Sequence, residues 1–283
     1  MASTTEPHPF DRAVALEPLD AAAGAPRRWR GHTSADYANM VGPFGGITAA
    51  QALQAVVLHP DRLGEPVAFT GNFAAALADG PFTVEAQPAR TNRSTQHWVV
   101  TVHQTDAEGA DAVVFTATAV TALRRSTWGA TDLTPPAAPA VDAVPRLPPQ
   151  TRVAWFNRYD MRWFEGAMPR TWDGAEHAGS TTALWVRDEP PRALDYPGLT
   201  ALCDVFYPRV WLRRATPTPI GTVSFTVYFH ASSTDLRALG TEHLLAEAHG
   251  QRFFDGYFDQ SGALWSAGGA LLATTHQVVY YKE

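Results

Sequence analysis

Read by its apolar and polar positions, the chain sets out one helix and a series of alternating runs, and then does so a second time. Gly42 to Pro60 opens on turn-forming glycines, becomes rich in alanine and leucine, and stops at a proline, which predicts a helix of about three to four turns. Four strand-like runs follow, Val67 to Ala75, Phe82 to Thr91, Thr95 to Gln104 and Ala112 to Leu123. The separators Ala78-Asp-Gly-Pro81, Asn92-Arg-Ser94 and Asp106-Ala-Glu-Gly109 have turn chemistry, so the first half reads as a helix and then an antiparallel meander.

The second half has the same grammar. Val153, Trp155, Tyr159, Met161 and Trp163 alternate with Arg158, Asp160 and Arg162 and predict one long strand, and Ser180 to Arg187 predicts another. A short apolar helix over 198–207 comes next, with Leu199, Leu202, Cys203 and Phe206 at helical spacing and Asp204 in its middle. Pro208 stops it, and Pro217 and Pro219 keep the link to the next strand extended. From Thr222 the alternation is regular: Val223, Phe225, Val227 and Phe229 point one way, and Thr222, Ser224, Thr226, Tyr228 and His230 the other. Runs over 242–249, 257–266 and 271–281 complete the half. Gly46-Ile-Thr-Ala-Ala-Gln-Ala-Leu53 matches Gly198-Leu-Thr-Ala-Leu-Cys-Asp-Val205 position by position, as a duplicated unit would.

Between the halves, Thr127 to Gln150 is proline-rich and extended, which predicts a division into 1–126, a linker over 127–150, and 151–283. Residues 1–9 are expected to fray. Ala13 to Pro18 and Arg28 to His32 are short enough for strand or loop, and the loop over 231–241 looks long.

With 283 residues, 45% hydrophobic and 18% charged, the chain can bury a substantial core. A net charge of −6 argues against a nucleic-acid partner. Cys203 is the only cysteine, which excludes a disulfide framework and a thiolate metal site. The N-terminus lacks the basic start and apolar run of a signal peptide, and no apolar run reaches spanning length, so a cytoplasmic protein without membrane span, metal or cofactor is expected.

Familiar catalytic signatures are missing: there is no G-x-S-x-G, no phosphate-binding or dinucleotide glycine loop, and no H-E-x-x-H. Cys203 lies among Leu199, Leu202 and Phe206 and reads as a small buried hydrophobe. Asp204 stands beside that buried face. It must be paired, for instance with Arg209 or Arg213, near the surface, or held for chemistry, because an unpartnered buried carboxylate is costly.

Three segments narrow that choice. Leu202-Cys-Asp-Val-Phe-Tyr-Pro208, Thr222-Val-Ser-Phe-Thr-Val-Tyr-Phe-His230 and Gly269-Ala-Leu-Leu-Ala-Thr-Thr-His-Gln277 resemble segments of the acyl-CoA thioesterase II family, the double hot-dog thioesterases. Phe44 to Leu53 is similar to that family's glycine-led central helix, and Arg90 to Ser94 to its arginine-rich turn, with Asn92 where glycine is common.

The resemblance implies an α+β fold of two tandem hot-dog repeats, each a central helix wrapped by an antiparallel sheet. It also implies acyl-CoA hydrolysis by a water held by Asp204, Thr222 and Gln277. Gly45 and Gly46, lacking side chains, suit close approach of the substrate at a helix N-terminus, and Phe206 suits the wall of an acyl tunnel. The first half has no aspartate on its helix between Gly45 and Pro60 and no glutamine from Thr105 to Ala130, so it is expected to be the non-catalytic copy. Arg90 and Arg93, Arg124 and Arg125, or Arg213 and Arg214 are candidates for the nucleotide phosphates, and self-association is expected. An acyl-binding protein without turnover and a hydratase or dehydratase on the same scaffold are the alternatives.

Overall fold

The computed structural model describes residues 6–20, 25–105 and 109–283, so most of the separator expected at Asp106 to Gly109 lies outside the described residues. In the first half, α1 (Pro9–Ala13), β1 (Glu17–Leu19) and β2 (Arg27–His32) precede α2 (Gly45–Val57), β3 (Glu65–Phe73), β4 (Pro81–Thr91), β5 (Thr95–Thr105) and β6 (Asp111–Ala122). The second half runs β7 (Tyr159–Glu165), β8 (Thr182–Asp188), α3 (Tyr196–Leu202), α4 (Arg209–Arg213), β9 (Ile220–Phe229) and α5 (Ser233–Leu239). It ends with β10 (Leu244–His249), β11 (Phe253–Phe254), β12 (Tyr257–Trp265) and β13 (Leu271–Tyr281).

The strands form one antiparallel sheet in the order β1-β2-β4-β5-β6-β3-β9-β13-β12-β10-β8-β7, with β11 on β12. That order reads alike from either end. If β3 answers to β9, then β6 answers to β13, β5 to β12, β4 to β10 and β2 to β8. The halves meet where β3 pairs with β9, and at the middle of that seam Thr70 lies opposite Thr226 with their hydroxyls 3.1 Å apart.

Both central helices lie on one face of the sheet. Ile47, Ala49, Ala50, Ala52, Leu53, Ala55 and Val56 of α2 are all buried, because a helix apolar on every side is stable only in the middle of a core. Small residues let α2 approach α3 closely: a Cβ on Gly46 would stand 2.8 Å from the Ala201 carbonyl oxygen.

Each seam strand carries the same irregularity. The β3/β6 register slips at Val67 and the β9/β13 register slips at Val223, and the sequences around the two bulges, Val67-Ala-Phe-Thr-Gly-Asn-Phe73 and Val223-Ser-Phe-Thr-Val-Tyr-Phe229, correspond. The extra residue reverses the expected facing of Thr222 and Val223. Val223 is exposed, while Thr222 pairs with buried Val279 and so joins Phe225 and Gln277 on the helix side.

Other expectations are corrected by local chemistry. The strand read from Val153 begins only at Tyr159, because Ala154–Arg158 forms a 3-10 turn that stacks Trp155 on Phe44 with ring centroids 4.1 Å apart. The helix over 198–207 ends at Leu202, so Asp204 sits in the turn beyond it, and Pro208 caps the next helix rather than merely stopping the last. The long loop at 231–241 contains α5, begun by a Ser232/Asp235 capping box. Within the stretch expected to fray, His8 accepts the Phe10 N–H and starts α1 at Pro9, while residues 1–5 are not among those described.

Apart from a short turn at Val141–Ala143, the residues over 127–150 have no helix or strand. They cross the sheet face remote from the helices, where Val144 packs with Trp185, Leu245 and Trp265, and the Trp185 indole donates to the Pro139 carbonyl at 2.9 Å.

Candidate active site

Asp204 is delivered by the end of α3. Cys203 and Asp204 still donate their N–H groups into the last turn, to Leu199 and Ala201, so the carboxylate leaves the helix on a short, hydrogen-bonded stem. Two clamps hold it. The Gln277 side chain, pointing inward from β13, donates Nε2 to Asp204 Oδ1 at 2.7 Å. The Gly46 backbone N–H donates to the same carboxylate from the start of α2, in the other half of the molecule.

The start of α2 is shaped for this. Phe44 offers no side-chain cap, and the Ile47 and Thr48 N–H groups turn back to the Phe44 carbonyl at 3.2 and 3.4 Å. Gly46 is thus left to serve Asp204. Among the described residues the Gly45 N–H has no partner, so a donor is left unused at the helix start, next to the one that serves the carboxylate. A side chain at position 45 would not fit: its Cβ would lie 2.8 Å from Asp204 Oδ2 and 3.3 Å from the Phe73 ring.

Although Asp204 keeps a partly exposed edge, the surrounding protein strips away much of its hydration. That loss pushes its pKa up to about 7, against the opposing pull of the Gln277 and Gly46 hydrogen bonds. A carboxylate poised near neutrality exchanges protons readily at physiological pH. The adjacent Cys203 thiol is raised further, by burial and then by the Asp204 charge, and is inert as a nucleophile.

The remaining expected residues are less tightly gathered. Thr222 shares the inward face of Gln277 by strand register, and its hydroxyl makes no hydrogen bond among the described residues. Phe206 is buried in the core, with the Arg209 guanidinium 5.9 Å from its ring. Arg209, offered by the sequence as a partner for Asp204, instead ties Tyr207, Ser180 and Thr182 together.

Of the candidate arginines, Arg124 braces the Pro66, Phe229 and His230 carbonyls and Glu65. Arg90 bonds Asn92, Arg213 covers Phe253, and Arg214 pairs with Glu283. Arg93 and Arg125 have no such partners among the described residues.

Sequence reading missed the role of the first half in holding the acid. Phe44-Gly-Gly at a helix start, with no capping side chain, is the signal that N–H groups there are free for something else. It also missed the aromatic wall behind Asp204, in which Tyr159 packs edge-on to Phe44 at 6.1 Å.

Comparison with known proteins places the chain in a family. A model of the acyl-CoA thioesterase C-terminal domain matches residues 130–281, and one of the N-terminal domain matches residues 34–122. A hot-dog-fold protein of unknown function from Alicyclobacillus acidocaldarius is 46% identical, with TM-score 0.87 over 98% of this chain and 99% of that one. A putative thioesterase II from Thermobifida fusca is 19% identical, with TM-score 0.80 over 99% of both chains. The acyl-CoA thioesterase II TesB2 of Mycobacterium marinum is 19% identical, with TM-score 0.73 over 96% and 98%. A search of curated proteins gave no match.

The fold is thus the hot-dog fold, and the class is that of the thioester hydrolases. The chain belongs to the TesB-like acyl-CoA thioesterase family.

Proposed function

We propose that the chain hydrolyses acyl-CoA thioesters by general-base catalysis, with Asp204 as the base and Gln277 and Thr222 orienting the water. The observation that carries this reading is the 2.7 Å hydrogen bond between Gln277 and a carboxylate whose pKa lies near 7. Asp204 takes a proton from the water as its oxygen attacks the thioester carbonyl. The oxyanion is met by the unused N–H of Gly45 at the positive end of α2. Collapse of the tetrahedral species expels the coenzyme thiolate, which recovers the proton from Asp204. No covalent enzyme intermediate is needed.

In this reading the molecule is a double hot-dog whose unit over 151–283 supplies the acid, while the unit over 1–126 is a copy without chemistry of its own. The corresponding positions support it: by helix sequence and strand register, Asp204, Thr222 and Gln277 answer to Ala52, Pro66 and Ala119. Arg93 and Arg125 are available for the phosphates of the carrier. Exposed Val223, Tyr228, Val278 and Tyr280 on the outer sheet face support self-association.

A hydratase or dehydratase would use an acid beside a histidine. The buried pair of that kind, Asp160 and His243 at 3.0 Å, lies on the far face of the sheet and is locked among Arg146, Arg162 and Arg187. The test is release of free thiol from short, medium, long and aromatic acyl-CoAs. Hydrolysis that disappears in Asp204→Asn supports the proposal, and binding without thiol release from wild type refutes it.

A further inference from the structure

Three interior oxygens behind the site lack a hydrogen-bond partner among the described residues: the hydroxyls of Tyr37 and Tyr159, and Oδ1 of Asp188. The residues are 0%, 2% and 3% exposed, so bulk solvent does not reach them. They are neighbours. Tyr159 lies opposite Asp188 in the β7/β8 register, and the Tyr37 ring stands edge-on to that of Tyr159 at 6.2 Å.

The group reaches toward the candidate base, since Tyr159 feels the charge of Asp204 as well as that of Asp188. Asp188 also lines a small cavity, together with the charged Arg187, Arg192 and Glu242 and the apolar Leu194 and Leu202. Arg192, the cation acting on Asp188, spends its guanidinium on Asp11, Asp195 and the Ala193 carbonyl.

A buried hydroxyl or carboxylate without a partner costs about 1–3 kcal/mol, and native interiors keep only a few such groups, seldom side by side. Three such atoms set together beyond hydrogen-bonding distance of one another describe a receptor for a small polar group. We propose that the acyl group taken by this protein carries a hydroxyl near its thioester end, received by Tyr159 and Asp188 with Tyr37 behind them.

A hydroxyl both donates and accepts, as does a phenol, and Asp188, pushed up to about 7 by burial, is partly protonated at neutral pH and so can donate or accept. A plain alkyl chain would leave all three oxygens unpaired, which is how sites built for a hydroxyl reject its absence.

The inference rests on the thioesterase reading, and the experiment keeps the two apart. Hydroxyacyl-CoAs with the hydroxyl at C3, at C4 or at the chain end are compared with saturated acyl-CoAs of equal length, by kcat/KM on wild type and by Kd on Asp204→Asn. At least one hydroxylated ester is expected to win by about tenfold in both measures. Tyr159→Phe and Asp188→Asn should each bring that ratio toward one.

Ratios at or below one for every ester, or a preference that survives both substitutions, overturn the proposal and assign the three oxygens to trapped water. If wild type releases no thiol from any ester, the hydrolytic reading falls, and the Kd ratios alone decide the polar-acyl site.

Discussion

The starts of the two central helices make an instructive pair. Gly46 and Gly198 occupy equivalent positions, yet their backbone N–H groups go to different partners. In α3 the N–H of Gly198 is taken by Asp195, three residues earlier, at 2.8 Å, an ordinary N-cap. In α2 no residue caps, and the N–H of Gly46 goes to Asp204 from the opposite half. One helix start is sealed by its own sequence, and the other is left open for a distant carboxylate. Where the seal exists, the facing helix carries Ala52 instead of an acid. On the proposed reading, the half that supplies the acid is the one facing the helix start whose donors stay free.

The sharpest attack on this comparison is Asp204→Asn. The amide keeps the shape and can still bond Gln277 and Gly46, so the fold should persist while kcat falls by roughly 10²- to 10⁴-fold. Wild-type turnover in a folded Asn protein would break the assignment.

Gly45→Ala comes next. Its methyl would press on Asp204 Oδ2, and a small displacement of a base costs on the order of 10²-fold, so kcat should fall with little change in far-UV circular dichroism. Gln277→Ala should lower kcat by about tenfold or more with a smaller effect on KM, and a pure KM effect would make Gln277 a binding residue.

A pH series sharpens the same point. Since the base works deprotonated, kcat/KM should rise with pH through a midpoint near 7. Loss of the Gln277 hydrogen bond in Gln277→Ala should move that midpoint upward. Stability runs the other way. With the folded pKa raised, the folded state binds the proton more tightly, so the wild type loses stability as pH rises from the ordinary carboxylate range toward 7. Asp204→Asn should then melt a few degrees above wild type at pH 8 and about level with it at pH 4.

The smallest effects belong to the sealed helix start and to the residue facing it. Asp195→Ala should cost about 1 kcal/mol of stability, read from denaturant midpoints. Ala52→Asp should create no second activity, because Gly198 is already capped and Ala119 offers no amide.

Much of the scaffold was legible from the sequence. The four runs after α2 fall within two residues of β3 to β6, because alternation and turn residues act locally. Asp204, Thr222 and Gln277 were singled out by resemblance, and spacing alone would have left Asp204 as one acid among several. Two features escaped. Regular alternation grouped Thr222 with Ser224, Thr226 and Tyr228 instead of with Phe225, since a bulge is an interruption of period two that a period-two reading smooths over. The hold of Gly46 on Asp204 spans the two halves, and no local pattern records a partner more than 150 positions away.

The seam between β3 and β9 has one more implication. Backbone pairing and the packing of α2 on α3 join the halves, and neither passes through the proline-rich crossover. A chain cut near the exposed Trp128, with its two pieces produced together, should reassemble and work as a complemented enzyme, whereas either piece alone should be silent. The covalent bridge would then serve mainly to keep the two pieces at equal number and high local concentration.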